Sequence, residues 1–178
     1  VDNVVYSDAS EVELFLLGSD SNKVLTPFLA ELGDESQSVK IQKSINSQET
    51  VGKWSLPQTW EGAVPASEWT FSISYVVSNA AAAQINATAT ITIGAKSYSA
   101  QTDPGGSILA QGPGNLEFKI NVEAGGVLTT SSSIELEMTA ETLLFSLPEG
   151  ADANLEFFWG SEDDASSIEG TLPLLDMM

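Results

Sequence analysis

The sequence contains no cysteine, no histidine and no arginine. Without cysteine there are no disulfides and no thiolate metal sites. Without histidine or cysteine there is no Ser–His or Cys–His nucleophile pair and no zinc site built on those ligands. No Gly-Lys-Ser/Thr loop is present to cradle a phosphate. Only six lysines stand against 25 Asp and Glu, for a formal net charge of −19. A nucleic-acid binder needs a basic patch to displace counterions from phosphates, so nucleic acid is excluded as a partner. An anionic membrane surface repels such a chain for the same reason. No run approaches the roughly 18 apolar residues of a membrane span. Val1 to Ser10 lacks the basic start and apolar core of a signal peptide.

The acids are dispersed along the chain rather than massed in a tail. That pattern reads as a solvated acidic surface, which keeps a protein soluble and suits saline surroundings. The 178 residues fit one domain and are enough to build a core without staples.

Period-two alternation dominates. Trp69, Phe71, Ile73, Tyr75 and Val77 alternate with Thr70, Ser72, Ser74 and Val76. Ala87 to Ile93, Leu116 to Val122, Ile134 to Met138 and Leu155 to Trp159 repeat the pattern. A strand reads this way when one face is buried and the other is wet. Weaker strands fit Val12 to Leu17, Val39 to Ile45, Val51 to Leu56, Lys96 to Thr102 and Leu143 to Leu147, which makes about ten in all.

Turn signals fall at Gly18 to Asn22, Asp103 to Gly106, Gly112 to Asn115, Gly125-Gly126 and Pro148 to Gly150, and Ala80 to Ala83 reads as a loop before Asn86. The one helix candidate is Pro27 to Leu32, with Thr26 as cap and Gly33 as stop. These elements predict an all-β fold, a two-sheet antiparallel β-sandwich, with jelly-roll topology the first choice and an immunoglobulin-like arrangement the second. Residues 1–10 form an N-terminal extension and residues 11–178 a single sandwich domain.

Leu155 to Trp159 leads into Gly160-Ser161, four residues, Ser166, and a final apolar stretch ending in Leu172-Pro173. Val12 to Ser21 leads into Val24-Leu25-Thr26-Pro27, and Trp54-Ser55-Leu56-Pro57 closes another strand. Over residues 11–173 these features resemble the jelly-roll domains of secreted archaeal surface proteins, which are galactose-binding-like in architecture. The resemblance implies a sandwich in an extracellular or cell-surface setting and brings no functional residue with it.

Candidate sites are few. Trp60 lies in the loop Pro57 to Gly62, and a loop indole is suited to stacking on a sugar face, with Glu61 beside it. Glu61 and Glu68 are the carboxylate pair nearest to a glycosidase arrangement, and they bracket a turn. Trp69 and Trp159 read as core, and Trp54 as half-buried. Asp152, Glu162, Asp163 and Asp164 are oxygen donors for one structural Ca²⁺, although no EF-hand spacing is present. Asn86-Ala87-Thr88 is an N-glycosylation acceptor by pattern, expected near a strand start. Val4, Val5 and Tyr6 form a short apolar strip suited to adding to a neighbour's sheet edge. Two functional expectations follow. The first is a non-catalytic surface or filament subunit that associates with itself or with other surface proteins. The second is a carbohydrate-binding or adhesion module.

Overall fold

In the computed structural model the described residues are 9–18, 23–26, 32, 36–41, 49–56, 62–102, 107–123, 126–128, 134–145, 154–161 and 166–173. The molecule over these residues is all-β. Its strands in chain order are β1 (Ala9–Leu17), β2 (Val24–Thr26), β3 (Gln37–Ile41), β4 (Glu49–Ser55), β5 (Gly62–Val64) and β6 (Ser67–Ile93). They continue with β7 (Lys96–Gln101), β8 (Ser107–Val122), β9 (Gly126–Leu128), β10 (Ile134–Phe145), β11 (Asn154–Trp159) and β12 (Ser167–Pro173). β5 and β9 form a two-stranded sheet, and the other ten strands belong to one large sheet.

The organising element is β6. Along one edge it carries β8, opposite Ser67 to Val77 and Ala82 to Ile85, and then β7, opposite Thr88 to Ile93. Along the other edge it carries β12 at Thr70 to Ser72, β11 at Ser74 to Ser78 and β10 at Ala83 to Ile93. The chain of pairings β12–β1–β2–β4–β10 then returns to β6, so the strands close a ring. The seam is thin. β2 meets β4 at one parallel pair, Val24 and Ser55, where the Ser55 N–H donates to the Lys23 carbonyl at 3.3 Å.

The large sheet folds over on itself. Trp54 on β4 and Trp159 on β11 are not on neighbouring strands, yet their rings meet edge to face with centroids 5.2 Å apart. Between the layers lie Leu14, Leu16, Phe71, Ile73, Ile91, Leu136, Phe157 and Ile168, all buried. They are the inward positions of the alternating runs, so the period-two pattern places them there. Burial of this apolar surface is what holds the two layers together.

The structure corrects several local expectations. Ala80 to Ala83 is not a loop but part of β6, and Ala80 and Ala83 are buried. The pairing with β8 shifts register between Val77 and Ala82, so the strand bends there without ending. Gly112 to Asn115 is not a turn but part of β8. Gly112 has φ of 94°, a left-handed value that glycine adopts without strain. Pro113 is tolerated because β8 pairs with β6 alone among the described strands, and an edge strand can spare an N–H. Leu143 to Phe145 continues β10 rather than starting a new strand. Thr26 ends β2 instead of capping a helix, and residues 27–31 lie outside the described residues. β1 begins at Ala9, two positions inside the stretch read as an extension.

Candidate functional site

Most of the sites expected from sequence fall outside the described residues: Val4, Val5, Tyr6, Trp60, Glu61, Asp152, Glu162, Asp163 and Asp164. Asn86 is described. It sits in the interior of β6 rather than near a strand start, because β6 runs unbroken through residues 80–83. It is half-buried between buried Ile85 and Ala87, opposite Glu141 on β10. Its Nδ2 donates to Glu141 Oε1 at 3.3 Å.

The tryptophans divide differently from expectation. Trp69 and Trp159 are core, as their alternation predicts. Trp54 is also fully buried, not half-buried, because it packs on Trp159 and over Gly52 on its own strand. All three described indoles therefore serve the interior, and none offers an open face to a sugar.

The motif Gly160-Ser161 to Ser166 is a structural corner. Gly160 has φ of 94° and turns the chain out of β11. Ser161 is buried and its Oγ lies 2.9 Å from Ser36 Oγ. Ser166 is buried where β11 gives way to β12 along β6. Its Oγ accepts from the Ser74 N–H at 2.9 Å and donates to the Phe158 carbonyl at 2.6 Å. One hydroxyl thus satisfies two main-chain groups in the gap between two strand ladders.

Two surface clefts are lined by described residues. The first, of about 390 Å³, lies on the outer face of β1, β12 and β6 and is lined by Glu11, Glu13, Glu68, Thr70, Glu169 and Thr171. Glu13 and Glu169 are directly paired across β1 and β12. The Glu13 carboxylate raises the pKa of the exposed Glu169 above the ordinary carboxylate value, and slight desolvation, a hydrogen bond to Glu13, Glu11 and Glu117 push the same way. Ser167 Oγ donates to Glu13 Oε2 at 2.9 Å. Among the described residues no group of three or more carboxylates is arranged to hold a metal ion. Sequence alternation puts Glu11 and Glu13 on one face of β1. Only the pairing register brings Glu169 to them.

The second cleft, of about 340 Å³, lies between β3 and β4. Gln37, Ser38 and Val39 form one wall and Thr50 and Val51 the other, with Trp159 and Lys23 also lining it. The Lys23 ammonium lies 6.0 Å from the centre of the Trp159 ring. Val51 is the extra residue where the β4–β10 register shifts, Met138 facing Gly52 and Thr139 facing Thr50. No sequence signal marked this cleft, because its two walls are joined only through the folding of the sheet.

No protein-family model matches the sequence, and no curated protein matches it either. Solved structures do resemble the fold. Two crystal structures of a CocE/NonD family hydrolase from Staphylococcus aureus superpose with TM-scores of 0.56 and 0.57, at 10% and 8% sequence identity. An aminopeptidase from the marine sediment archaeon Thaumarchaeota archaeon gives a TM-score of 0.51 at 9% identity. Each match covers 93% of this chain but 37% of the other protein. The chain therefore spans little more than a third of these proteins. At such identity the likeness is one of fold.

Proposed function

We propose that this chain is a non-catalytic, extracellular β-sandwich that serves as a structural subunit of a cell surface or filament and assembles by strand addition. The observation that carries this reading is the outer edge of β3. β3 pairs with β11 through one edge, and its other edge has no strand partner among the described residues. Such an edge is a row of main-chain donors and acceptors ready to pair with another strand. The fate of the chemically versatile residues supports the same reading. The described tryptophans are spent on the core, and the Ser166 hydroxyl of the Gly160–Ser166 corner on main-chain hydrogen bonds.

The test is sedimentation and negative-stain electron microscopy of the purified protein over a range of concentrations, with and without millimolar Ca²⁺. Concentration-dependent polymers are the expected result, and a requirement for Ca²⁺ would place a metal at the contacts. Monomers under every condition would overturn the assembly reading.

A further inference from the structure

We propose that β7 is a dimer edge: the strands Lys96–Gln101 of two copies of this chain pair antiparallel about a two-fold axis at Ser99 and join their sheets into one. The contact does not depend on the outer edge of β3, and it closes after two copies instead of propagating.

β7 pairs with β6 through one edge, and its other edge has no strand partner among the described residues. The hairpin sets which groups point that way. Ile93 and Lys96 pair across the two-residue turn Gly94-Ala95, and the Thr102 N–H donates to the Ala87 carbonyl at 3.0 Å. Hydrogen-bonded pairs alternate with non-bonded ones in an antiparallel ladder, so Lys96, Tyr98 and Ala100 bond to β6. Ser97, Ser99 and Gln101 therefore turn their N–H and C=O groups to the open side, and all three are exposed. An open edge attracts other strands, and proteins guard it with charge, proline or a bulge. β8, which also pairs with β6 alone among the described strands, is guarded by exposed Pro113, Glu117 and Lys119. β7 has no proline, no carboxylate and no break in register, and its one charge, Lys96, stands at its start.

The occupant is a second copy because β7 complements itself. With Ser99 opposite Ser99 of the second copy, Ser97 meets Gln101 and Gln101 meets Ser97, and each of these pairs exchanges both main-chain hydrogen bonds. Tyr98 then falls opposite Ala100 of the second copy, at the closer, non-hydrogen-bonded positions of the ladder. That sets a large side chain beside a small one, and each is half-buried in the single copy. Lys96 falls opposite Thr102 of the second copy, so the two ammonium groups stand at opposite ends of the ladder. Charge points to the same strip. Copies that each carry a formal −19 repel one another, and pairing along β7 sets no carboxylate opposite another.

The absence of native cysteine allows a direct test of the register. The full chain carrying Ser99→Cys, Ser97→Cys or Gln101→Cys is oxidised at concentrations where sedimentation velocity shows the parent to be dimeric. All three positions are exposed, so the variants retain the fold. The expected result is a disulfide dimer from Ser99→Cys alone, none from Ser97→Cys or Gln101→Cys alone, and one from a mixture of those two. Ser99→Pro removes an outward N–H that β6 does not use, and is expected to keep Tm near the parent's while sedimenting as a monomer. Disulfides that form equally from Ser97→Cys and Ser99→Cys would overturn the pairing. Assembly that persists in Ser99→Pro, without a Ser99→Cys disulfide, would overturn this contact and leave the β3 reading standing. A parent that stays monomeric at every concentration would overturn both.

Discussion

Trp69 covers Gly170. The two sit on neighbouring strands, β6 and β12, and a Cβ built on Gly170 would overlap the six-membered ring of the indole. Trp69 is fully buried, so the ring has nowhere to retreat. Overpacking of a filled core costs about 1–3 kcal/mol and occasionally more, because side chains must leave their rotamers. Gly170→Ala is therefore expected to lose about 3 kcal/mol in urea unfolding. Trp69→Leu combined with Gly170→Ala should recover part of the loss attributable to the clash. Equal stability of Gly170→Ala and the parent would contradict the packing.

The contact between Trp54 and Trp159 ties the two layers together. Trp159 also donates from Nε1 to the Gly18 carbonyl at 2.7 Å, which holds the end of β1 against β11. Trp159→Phe keeps most of the apolar bulk and removes this hydrogen bond, for an expected loss of about 1–2 kcal/mol. Trp54→Ala removes the partner ring and opens a cavity, for an expected loss of about 3–5 kcal/mol. Chemical denaturation of both variants checks the ranking. Because the two side chains touch, the double variant should lose less than the sum of the single losses.

The alternating runs around Phe71, Ile91, Phe118, Leu136 and Phe157 were legible because each has one wet face and one buried face. The continuity of β6 was not. Ser78 to Ala83 is a run of small residues without alternation, since the strand bends there and hands its edge from one set of partners to the next. Gly112-Pro113-Gly114 hid the length of β8 by the same logic in reverse. These residues signal a turn, but Tyr75 fills the space over Gly114 and the edge position excuses Pro113. Three-residue strands such as β2, β5 and β9 are too short to show a period. The acidic cleft and the β3–β4 cleft depend on register and on sheet closure, which local pattern does not encode. Glu169 gave no sign of its neighbours until β12 was placed beside β1.

Ser166 makes a prediction that separates a structural motif from a functional one. Ser166→Ala strands the Ser74 N–H and the Phe158 carbonyl in a buried site. An unsatisfied buried polar group costs about 1–3 kcal/mol, so a loss near 2 kcal/mol is expected. Hydrogen exchange at the Ser74 amide should accelerate more than at Ser72, which lies within the β6–β12 pairing. If stability and exchange are unchanged, the corner does not hold β11 and β12 to β6.

The pair Glu13–Glu169 gives stability a pH dependence of definite sign. The pKa of Glu169 is raised in the folded protein, first by Glu13, and then by slight desolvation, the hydrogen bond to Glu13, Glu11 and Glu117. Between its unfolded and folded pKa values the folded state holds more proton than the unfolded state, so stability falls as pH rises through that window. Above the window the two carboxylates repel across β1 and β12. Acidification from neutral pH into the window just above the ordinary carboxylate range should therefore raise Tm. Lys119 stands next to Thr70 on β8, the nearest cation along that row of the sheet, and is separated from Glu169 by the width of β6. Glu169→Gln should raise Tm at neutral pH and flatten the rise on acidification. Glu156→Gln, on the outer face of β11 beside Ser38, serves as a control that removes one negative charge elsewhere. An equal effect of both substitutions would assign the trend to the net charge of −19 rather than to this pair.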